Sequence, residues 1–241
     1  MARITPTRIS GMNFSFHRIP VGICNCYLLR GERTVLIDAG AQGFGKGFMR
    51  GLQKLNVDPK EISLILITHG HWDHIGSLYP IQQITGAQVA VHHYDQAWVE
   101  NGNPTWPLGR TPYGKAMIWS ANRLIHPKLP HVNVDFAIDE SGMSLANYGI
   151  PGKVFYTPGH TLGHVSIILD SGEAFVGDMA MNDWYLRRSP GLPIFADVAN
   201  MLVDSWKTIF AAGTKRVYPA HGPDFPVEIM QQEISNFAGS K

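Results

Sequence analysis

Short apolar runs, each bounded by Gly, Pro or Asp, recur along the chain and predict β-strands. These runs are Cys24–Arg30, Thr34–Ile37, Ile62–Thr68, Gln88–Val91, Lys153–Thr157, Val165–Leu169, Ala174–Val176 and Arg216–Tyr218. Helices are predicted between and after them, at Phe44–Leu55, Ile75–Ile84, His93–Glu100, Ala196–Ala212 and Pro226–Phe237. Because strands and helices alternate from end to end, we predict a single domain of the α/β class over residues 1–241.

The segment Asn101–Pro130 departs from this alternation. It combines prolines and glycines with the aromatic residues Trp106, Tyr113 and Trp119, a composition typical of an irregular excursion. One helix is expected within it, around Tyr113–Ile125. We predict that this segment forms a lid or a wall beside a substrate.

The composition is that of an ordinary globular protein, with 44% apolar and 16% charged residues. No apolar run is long enough to span a membrane, and Met1–Arg8 lacks the apolar stretch of a secretory signal. A cytoplasmic location is therefore expected. The net charge of +1 gives no general attraction to nucleic acid or to an acidic membrane, so we expect a small-molecule substrate, and neither nucleic acid nor a membrane as a partner.

The two cysteines, Cys24 and Cys26, lie two residues apart on a predicted strand, so their side chains share one face of it. Adjacent cysteines on one strand are poorly placed for a disulfide. We expect both to be small buried residues. Metal binding or redox sensing is the alternative, although a lone Cys-x-Cys lacks a second pair of ligands.

A cluster of histidines follows the predicted strand Ile62–Thr68 directly, in the hexapeptide His69-Gly-His-Trp-Asp-His74. Neutral imidazole and carboxylate groups are both good zinc ligands. The His-x-His spacing lets two imidazoles converge on one ion, and Asp73 and His74 could then face a second ion. A histidine-rich polar turn is the alternative. We predict that these ligands lie on a loop between a strand and a helix, where α/β proteins usually place their sites.

Three later predicted strands also end at a potential metal ligand beside a glycine. The pairs are Gly159-His160, Gly177-Asp178 and His221-Gly222. Glycine allows the backbone to turn sharply or to approach another segment closely. The repetition strengthens the prediction of a metal site, whereas the remaining histidines, His164 among them, are expected to be structural or exposed.

The number and order of these residues resemble the five-motif pattern of the metallo-β-lactamase-fold hydrolases, with Leu36-Ile-Asp38-Ala-Gly40 as the first motif. The resemblance spans Cys24 to Gly222. It implies a four-layer αβ/βα sandwich with a dinuclear metal site at the edge between two sheets, and an Asp38 that orients a ligand imidazole or supports the loop. The implied ligands are His69, His71 and His160 for one ion, Asp73, His74 and His221 for the other, and Asp178 as a bridge between them.

This resemblance implies a hydrolase in which a metal-bound hydroxide attacks a small ester, lactone, thioester or amide. We expect two divalent metal ions per chain, zinc first, with iron and manganese as alternatives because histidine and aspartate bind all three. Asp73 is the candidate catalytic residue, as a proton shuttle. The alternatives are a phosphodiesterase acting on a nucleotide or a phospholipid headgroup, a β-lactamase, and a non-catalytic metal-binding protein.

Within the family the chain is similar to the glyoxalase II and lactonase groups, because it has Asp at the bridging position. It departs from both. Glyoxalase II carries a helical substrate domain after the last histidine, and the segment after His221 is short. Lactonases have Tyr where this chain has Met181.

Four aromatic residues are candidates for an apolar pocket wall, and ordinary core or surface positions are the alternative for each. They are Trp106, Trp119, Trp184 and Tyr185.

Overall fold

Two β-sheets form the centre of the molecule in a computed structural model that describes residues 7–8, 14–189 and 191–238. The prediction that no secretory signal precedes the fold rests largely on residues 1–6, which lie outside the described residues. The first sheet contains seven strands that are spatial neighbours in chain order. From β1 to β7 they are Thr7–Arg8, Ser15–Val21, Cys24–Arg30, Thr34–Ile37, Ile62–Leu66, Gln88–His92 and Phe136–Ile138.

The second sheet contains six strands, and two further strands pair separately. From β8 to β15 the strands are Met143–Ser144, Gly152–Tyr156, Val165–Leu169, Glu173–Phe175, Arg187–Ser189, Leu192–Pro193, Arg216–Tyr218 and Phe225–Pro226. The spatial order in the second sheet is β15-β14-β11-β10-β9-β8, and β12 pairs with β13.

Seven α-helices in the described residues surround these sheets. From α1 to α7 they are Gly45–Leu55, Trp72–Ile75, Leu78–Thr85, His93–Asn101, Pro112–Leu124, Leu202–Ala211 and Glu228–Ala238. Short 3₁₀ turns lie at Pro59–Glu61, Ala146–Tyr148 and Ala199–Met201. No helix in the described part of the chain combines the length and the apolar character needed to cross a membrane.

The buried side chains separate into layers, because successive residues of a strand point to opposite faces of its sheet. On β5, Leu64 and Leu66 face a core shared by both sheets. Ile65 faces the opposite way, into a core shared with α1, α3 and α4. The outer face of the second sheet packs on α6 through Trp206 and Ile209. The order is helices, sheet, sheet, helices, which confirms the four-layer αβ/βα sandwich and the α/β class.

The sheet topology brings several strand ends to one edge. β4 and β5 are parallel, as are β11 and β14. β9 and β11 both run antiparallel to β10, so they are parallel to each other. The carboxyl ends of neighbouring parallel strands meet at the same edge, which is where α/β sheets place their sites.

Most predicted elements are confirmed, and some of the differences have a clear structural cause. The predicted helix Ile75–Ile84 is in fact two helices, α2 and α3, and α2 begins three residues earlier than predicted. The break lies at Gly76 and Ser77, between the two helices. Gly76 has no room for a side chain, because it packs against the backbone of Ala41 and Gln42. The final helix begins at Glu228 instead of Pro226, because Pro226 belongs to β15.

Candidate metal centre

The segment after β5 carries four of the predicted ligands. The chain leaves the strand through Thr68, and both His69 and His71 lie on the extended stretch before α2. Asp73 and His74 belong to α2, a helix of four residues, so the prediction that all four lie on a loop is wrong for these two. Because α2 begins at Trp72, Asp73 and His74 face a different part of the site from His69 and His71.

Three further strand ends supply the remaining ligand candidates. His160 follows β9, Asp178 follows β11 and His221 follows β14. The turn before Asp178 depends on Gly177, whose φ of 49° is in the left-handed region. A Cβ atom at this glycine would lie 2.7 Å from His164 Nε2 and 2.7 Å from Thr68 Oγ1. Glycine is therefore required for Asp178 to approach the loop after β5.

Asp178 lies between two groups of histidines. Its Oδ1 atom is 3.3 Å from His74 Nε2 and 3.3 Å from His221 Nε2. Its Oδ2 atom is 3.4 Å from His160 Nε2 and 3.9 Å from His69 Nε2. Each carboxylate oxygen thus faces a different pair of imidazoles.

The ligand atoms form overlapping groups in which every atom lies within 4.8 Å of the others. In the first group, His71 Nδ1 is 2.9 Å from His160 Nε2. In the second, Asp73 Oδ2 is 3.2 Å from His221 Nε2. The groups that surround Asp178 are His69, His71 and His160 on one side and Asp73, His74 and His221 on the other.

Hydrogen bonds at the outer nitrogens orient the imidazoles. His160 Nδ1 lies 3.2 Å from the Phe195 carbonyl oxygen, and His221 Nδ1 lies 3.0 Å from the Ile23 carbonyl oxygen. A carbonyl oxygen only accepts, so each Nδ1 carries a hydrogen and donates it. The Nε2 lone pairs of His160 and His221 are then directed into the site, as metal coordination requires.

Burial determines the charge state of the first group. Burial lowers the pKa values of His69 and His71 well below the usual range, and it also lowers the pKa of His160. These imidazoles are therefore neutral at pH 7, the form that binds a metal ion.

The second group carries more charge. Burial alone would raise the pKa of Asp178, but the surrounding imidazoles, His221 foremost, hold it well below the usual range. Burial alone would lower the pKa of His221, but Asp178 and Asp73 raise it well above the usual range. Asp178 is thus a carboxylate beside a protonated His221, and a metal ion bound here would take the place of the Nε2 proton.

Several buried polar atoms at this centre have no hydrogen-bond partner among the described residues. They are His69 Nε2, His71 Nε2, His74 Nε2 and Asp178 Oδ1. Leaving a buried polar atom without a partner costs about 1–3 kcal/mol. A cluster of unpaired imidazole nitrogens and carboxylate oxygens offers lone pairs that fit one or more divalent metal ions.

Asp38 lies behind the centre, at the end of β4. Its Oδ2 atom is 2.9 Å from His74 Nδ1, so it can orient this imidazole with Nε2 towards Asp178. The backbone N–H of Thr68 donates to Asp38 Oδ1 at 2.8 Å. Asp38 has a φ of 60°, which is uncommon for a residue other than glycine, and these contacts hold it there.

Cys24 and Cys26 are both buried and both free, which confirms the prediction of small buried residues. Cys26 belongs to the core between the first sheet and its helices. Cys24 lies nearer the site, with its Sγ atom 3.8 Å from His74 Nδ1. Burial raises the pKa of the Cys24 thiol well above its usual value, so the sulfur is neutral.

The sequence pattern missed Asp95, a buried carboxylate in the first turn of α4. It accepts hydrogen bonds from the backbone N–H of Gly70 at 2.9 Å, from Thr161 Oγ1 at 2.8 Å and from the backbone N–H of Gly163 at 3.1 Å. Asp95 therefore joins the loop of His69 and His71 to the loop of His160. Burial raises its pKa to about 6, although the three hydrogen bonds oppose the rise. The only sequence signal was an acidic residue at a helix start, a common feature of helices in general.

Replacing Asp95 with asparagine is expected to weaken metal binding about 10-fold to 100-fold while the protein stays folded. The amide NH₂ group would face an N–H donor, so one loop would lose its anchor. Metal affinity is measured by competition with a chromophoric chelator. Asp135→Asn is the matched control, because Asp135 accepts a hydrogen bond from the Val89 N–H at 2.8 Å away from the metal centre. Equal affinities in the two variants would contradict the role assigned to Asp95.

A cavity of about 330 Å³ opens above the metal centre. His71, Asp73, Asp178 and His221 lie at its floor, and apolar side chains form its walls. Part of one wall is α5, which confirms that Asn101–Pro130 contributes a wall beside the candidate site.

Of the four aromatic residues predicted to line the pocket, Trp106 does so. The prediction is wrong for Trp119, which lies on the outer side of α5, is 61% exposed and packs against Arg123. It is also wrong for Trp184, which is 81% exposed, and for Tyr185, which packs against the apolar cluster that includes Leu186 and Phe195 but does not itself line the cavity. The sequence showed the aromatic residues but not the side of the backbone from which each projects.

His164 is buried and structural in its contacts, as predicted. Its Nδ1 atom is 3.1 Å from Thr157 Oγ1, and its ring stacks on that of His69 at 5.2 Å. The ring thus supports His69 from behind the site.

Comparison with known proteins adds a family assignment. Residues 19–221 match the family model described as the metallo-beta-lactamase superfamily. The chain is 27% identical over 147 residues to a "probable metallo-hydrolase" of Methanocaldococcus jannaschii, which corresponds to 61% of this chain and 63% of that protein. It is 27% identical over 186 residues to a "probable metallo-hydrolase" of Bacillus subtilis, at 68% of this chain and 63% of that protein. The chain thus spans about three fifths of the length of the curated relatives it first matches.

A solved structure gives the same picture of the fold. An archaeal metallo-beta-lactamase superfamily protein from Sulfolobus tokodaii superimposes with a TM-score of 0.65 at 25% sequence identity. The superposition covers 94% of this chain and 87% of that protein.

Proposed function

We propose that this chain, which belongs to the metallo-β-lactamase superfamily, hydrolyses a small ester, lactone, thioester or amide with the help of two divalent metal ions. Zinc is the first candidate, with iron and manganese as alternatives. The observation that carries the proposal is the position of Asp178 between two groups of ligand atoms at the floor of an apolar cavity. One carboxylate oxygen for each group is the arrangement expected of a bridging ligand.

The first group would be held by His69, His71 and His160, and the second by Asp73, His74 and His221, with Asp178 shared. A bound divalent ion would supply Lewis acidity and a water of lowered pKa near 7. The chain itself fixes the direction of the His74, His160 and His221 imidazoles through hydrogen bonds at their outer nitrogens. It therefore determines where the reacting groups lie before a substrate arrives.

Asp73 is the candidate proton acceptor. It lines the cavity, and its Oδ2 atom is held 3.2 Å from His221 Nε2. Burial would raise its pKa, but the hydrogen bond from His221 and the nearby His74 keep the pKa below the usual value. Asp73 is thus ionised at neutral pH and could receive a proton from an attacking water and pass it to the leaving group.

The reaction is a simple addition and elimination. Water adds to the carbonyl carbon, the bond to the leaving oxygen, sulfur or nitrogen breaks, and an acid and an alcohol, thiol or amine are released. The apolar walls exclude water from the rest of the cavity, which strengthens the polar interactions at its floor.

Elemental analysis and an activity panel test this proposal together. The protein, purified without added metal, is expected to contain about two metal ions per chain and to hydrolyse members of an ester, lactone, thioester and amide panel. A nitrophenyl phosphodiester and a chromogenic cephalosporin belong in the same panel, because a two-metal site also serves phosphoryl transfer. Turnover of the phosphodiester alone would replace the proposal with a phosphodiesterase, and no turnover by the fully metallated protein would indicate a non-catalytic metal-binding protein.

A further inference from the structure

The walls of the cavity above Asp178 are apolar on every side that the structure describes. Helix α5 contributes Met117, Ile118 and Ala121, and Leu186 and Phe195 belong to the apolar cluster against which this helix packs. The polar lining residues among the described ones are those of the candidate metal centre at the floor. A molecule in the cavity therefore meets polar groups at one end and hydrocarbon along its length.

The charges of the lining residues narrow the range of possible substrates further. None of the described residues that line the cavity is a lysine or an arginine. A carboxylate or phosphate held beside α5 would lose part of its hydration without gaining a cationic partner, which disfavours its binding. The cavity is thus unsuited to a substrate that carries an anionic group remote from its reacting carbonyl.

We propose that the substrate carries an uncharged aliphatic acyl group, which lies along the inner face of α5 with its carbonyl at the floor beside Asp178. This inference rests on the proposed hydrolytic function and names its substrate class. The apolar side chains of Met117, Ile118 and Leu186 suit an aliphatic group, and the flexible Met117 can adapt to its conformation. A volume of about 330 Å³ is near the lower end of small-molecule sites, roughly 300–1,000 Å³, and fits a chain of moderate length.

One position on α5 is expected to limit the length of the acyl group that the cavity can hold. Ala121 lines the cavity, and its small side chain leaves room between larger neighbours. Ala116, on the same helix, is exposed on the other side and does not line the cavity. The two alanines form a matched pair, because a larger side chain fills the cavity at one and projects into solvent at the other.

The first experiment measures kcat/KM for ethyl esters, whose small leaving group does not compete for the apolar space. Ethyl hexanoate is expected to exceed ethyl acetate by about 100-fold, because each buried methylene adds up to about fourfold. Monoethyl adipate has the same number of carbons along the acyl chain but ends in a carboxylate. It is expected to react at least about 100-fold more slowly than ethyl hexanoate.

The second experiment compares Ala121→Phe with Ala116→Phe. In Ala121→Phe the ratio of kcat/KM for hexanoate over acetate is expected to fall at least about tenfold, because the ring occupies the space of the chain. Unchanged metal content and an unchanged thermal unfolding transition would show that the variant is folded. Ala116→Phe is expected to keep the wild-type ratio.

The outcomes separate this inference from the function on which it rests. If no ester of any length reacts while the phosphodiester does, the proposed hydrolysis of carbonyl compounds fails. If esters react but acetate, hexanoate and adipate monoesters do so equally well, hydrolysis stands and the acyl-chain assignment is wrong. Equal hexanoate-to-acetate ratios of kcat/KM in the two phenylalanine variants would likewise show that the acyl group does not lie along α5.

Discussion

Replacing Asp178 with alanine is expected to lower turnover by about 1,000-fold or more, which corresponds to roughly 4 kcal/mol of activation free energy. The carboxylate faces both groups of ligand atoms, with two imidazole nitrogens at 3.3 Å from one oxygen and one at 3.4 Å from the other. Its loss would leave each group one ligand short and would leave the imidazoles without the negative charge between them. Metal content is therefore expected to fall from about two ions per chain to about one.

The measurement combines steady-state kinetics with elemental analysis and thermal unfolding. Asp204→Ala is the matched control, because Asp204 lies on α6 with its side chain 78% exposed and pairs with Lys207 at the surface. An exposed ion pair of this kind contributes about 0–1 kcal/mol to stability, so this variant is expected to keep both metals and full activity. An Asp178→Ala protein with two metals and near-normal turnover would contradict the bridging role.

Much of the fold could be predicted because its central strands are buried on both faces. β4 and β10 have the predicted bounds, and each is a short, mostly apolar run that is buried throughout. The strands that the pattern missed are short or carry polar residues. β2, for example, contains His17, Arg18 and Pro20 and pairs with β3 along its whole length. Its pairing depends on backbone hydrogen bonds and on the neighbouring strand, and neither is visible in a local apolar pattern.

The candidate ligands could be predicted because they are unusual residues at recurring positions. The family resemblance carried by these motifs is confirmed by the match over residues 19–221, and the structure brings the predicted side chains together around Asp178. The sequence did not reveal that α2 begins at Trp72. Local propensity does not fix a helix start to within a residue or two, so Asp73 and His74 were expected on a loop.

The substrate cavity was much less predictable than the metal centre. Its walls combine segments that are distant in sequence, from Ile23 through α5 to Phe195. Apolar residues on these segments resemble ordinary core residues until the packing is known. Trp119 illustrates the difficulty, since one helical position moves a side chain about 100° around the axis and separates it from Ile118, which does line the cavity. Asp95 was missed for a related reason, because its three partners become neighbours only in the folded chain.

Removing the metal ions is expected to lower the melting temperature by about 10 °C or more. A ligand that binds only the folded state stabilises it by about 4 kcal/mol when its free concentration is 1,000 times its Kd. In a domain of this size, 1 kcal/mol shifts the melting temperature by roughly 2–4 °C. Stripping the metal would also leave His69 Nε2, His74 Nε2 and Asp178 Oδ1 buried without partners, which opposes folding further.

The test is calorimetry on protein dialysed against a chelator and then titrated with zinc, iron or manganese. The melting temperature is expected to recover and to keep rising with the logarithm of free metal concentration, because the stabilisation follows mass action. Asp178→Ala is expected to recover less, since one group of ligands would be incomplete. A melting temperature unaffected by chelation and by every added metal would mean that the cluster around Asp178 holds its geometry without an ion, and the dinuclear hydrolase would then lose its physical basis.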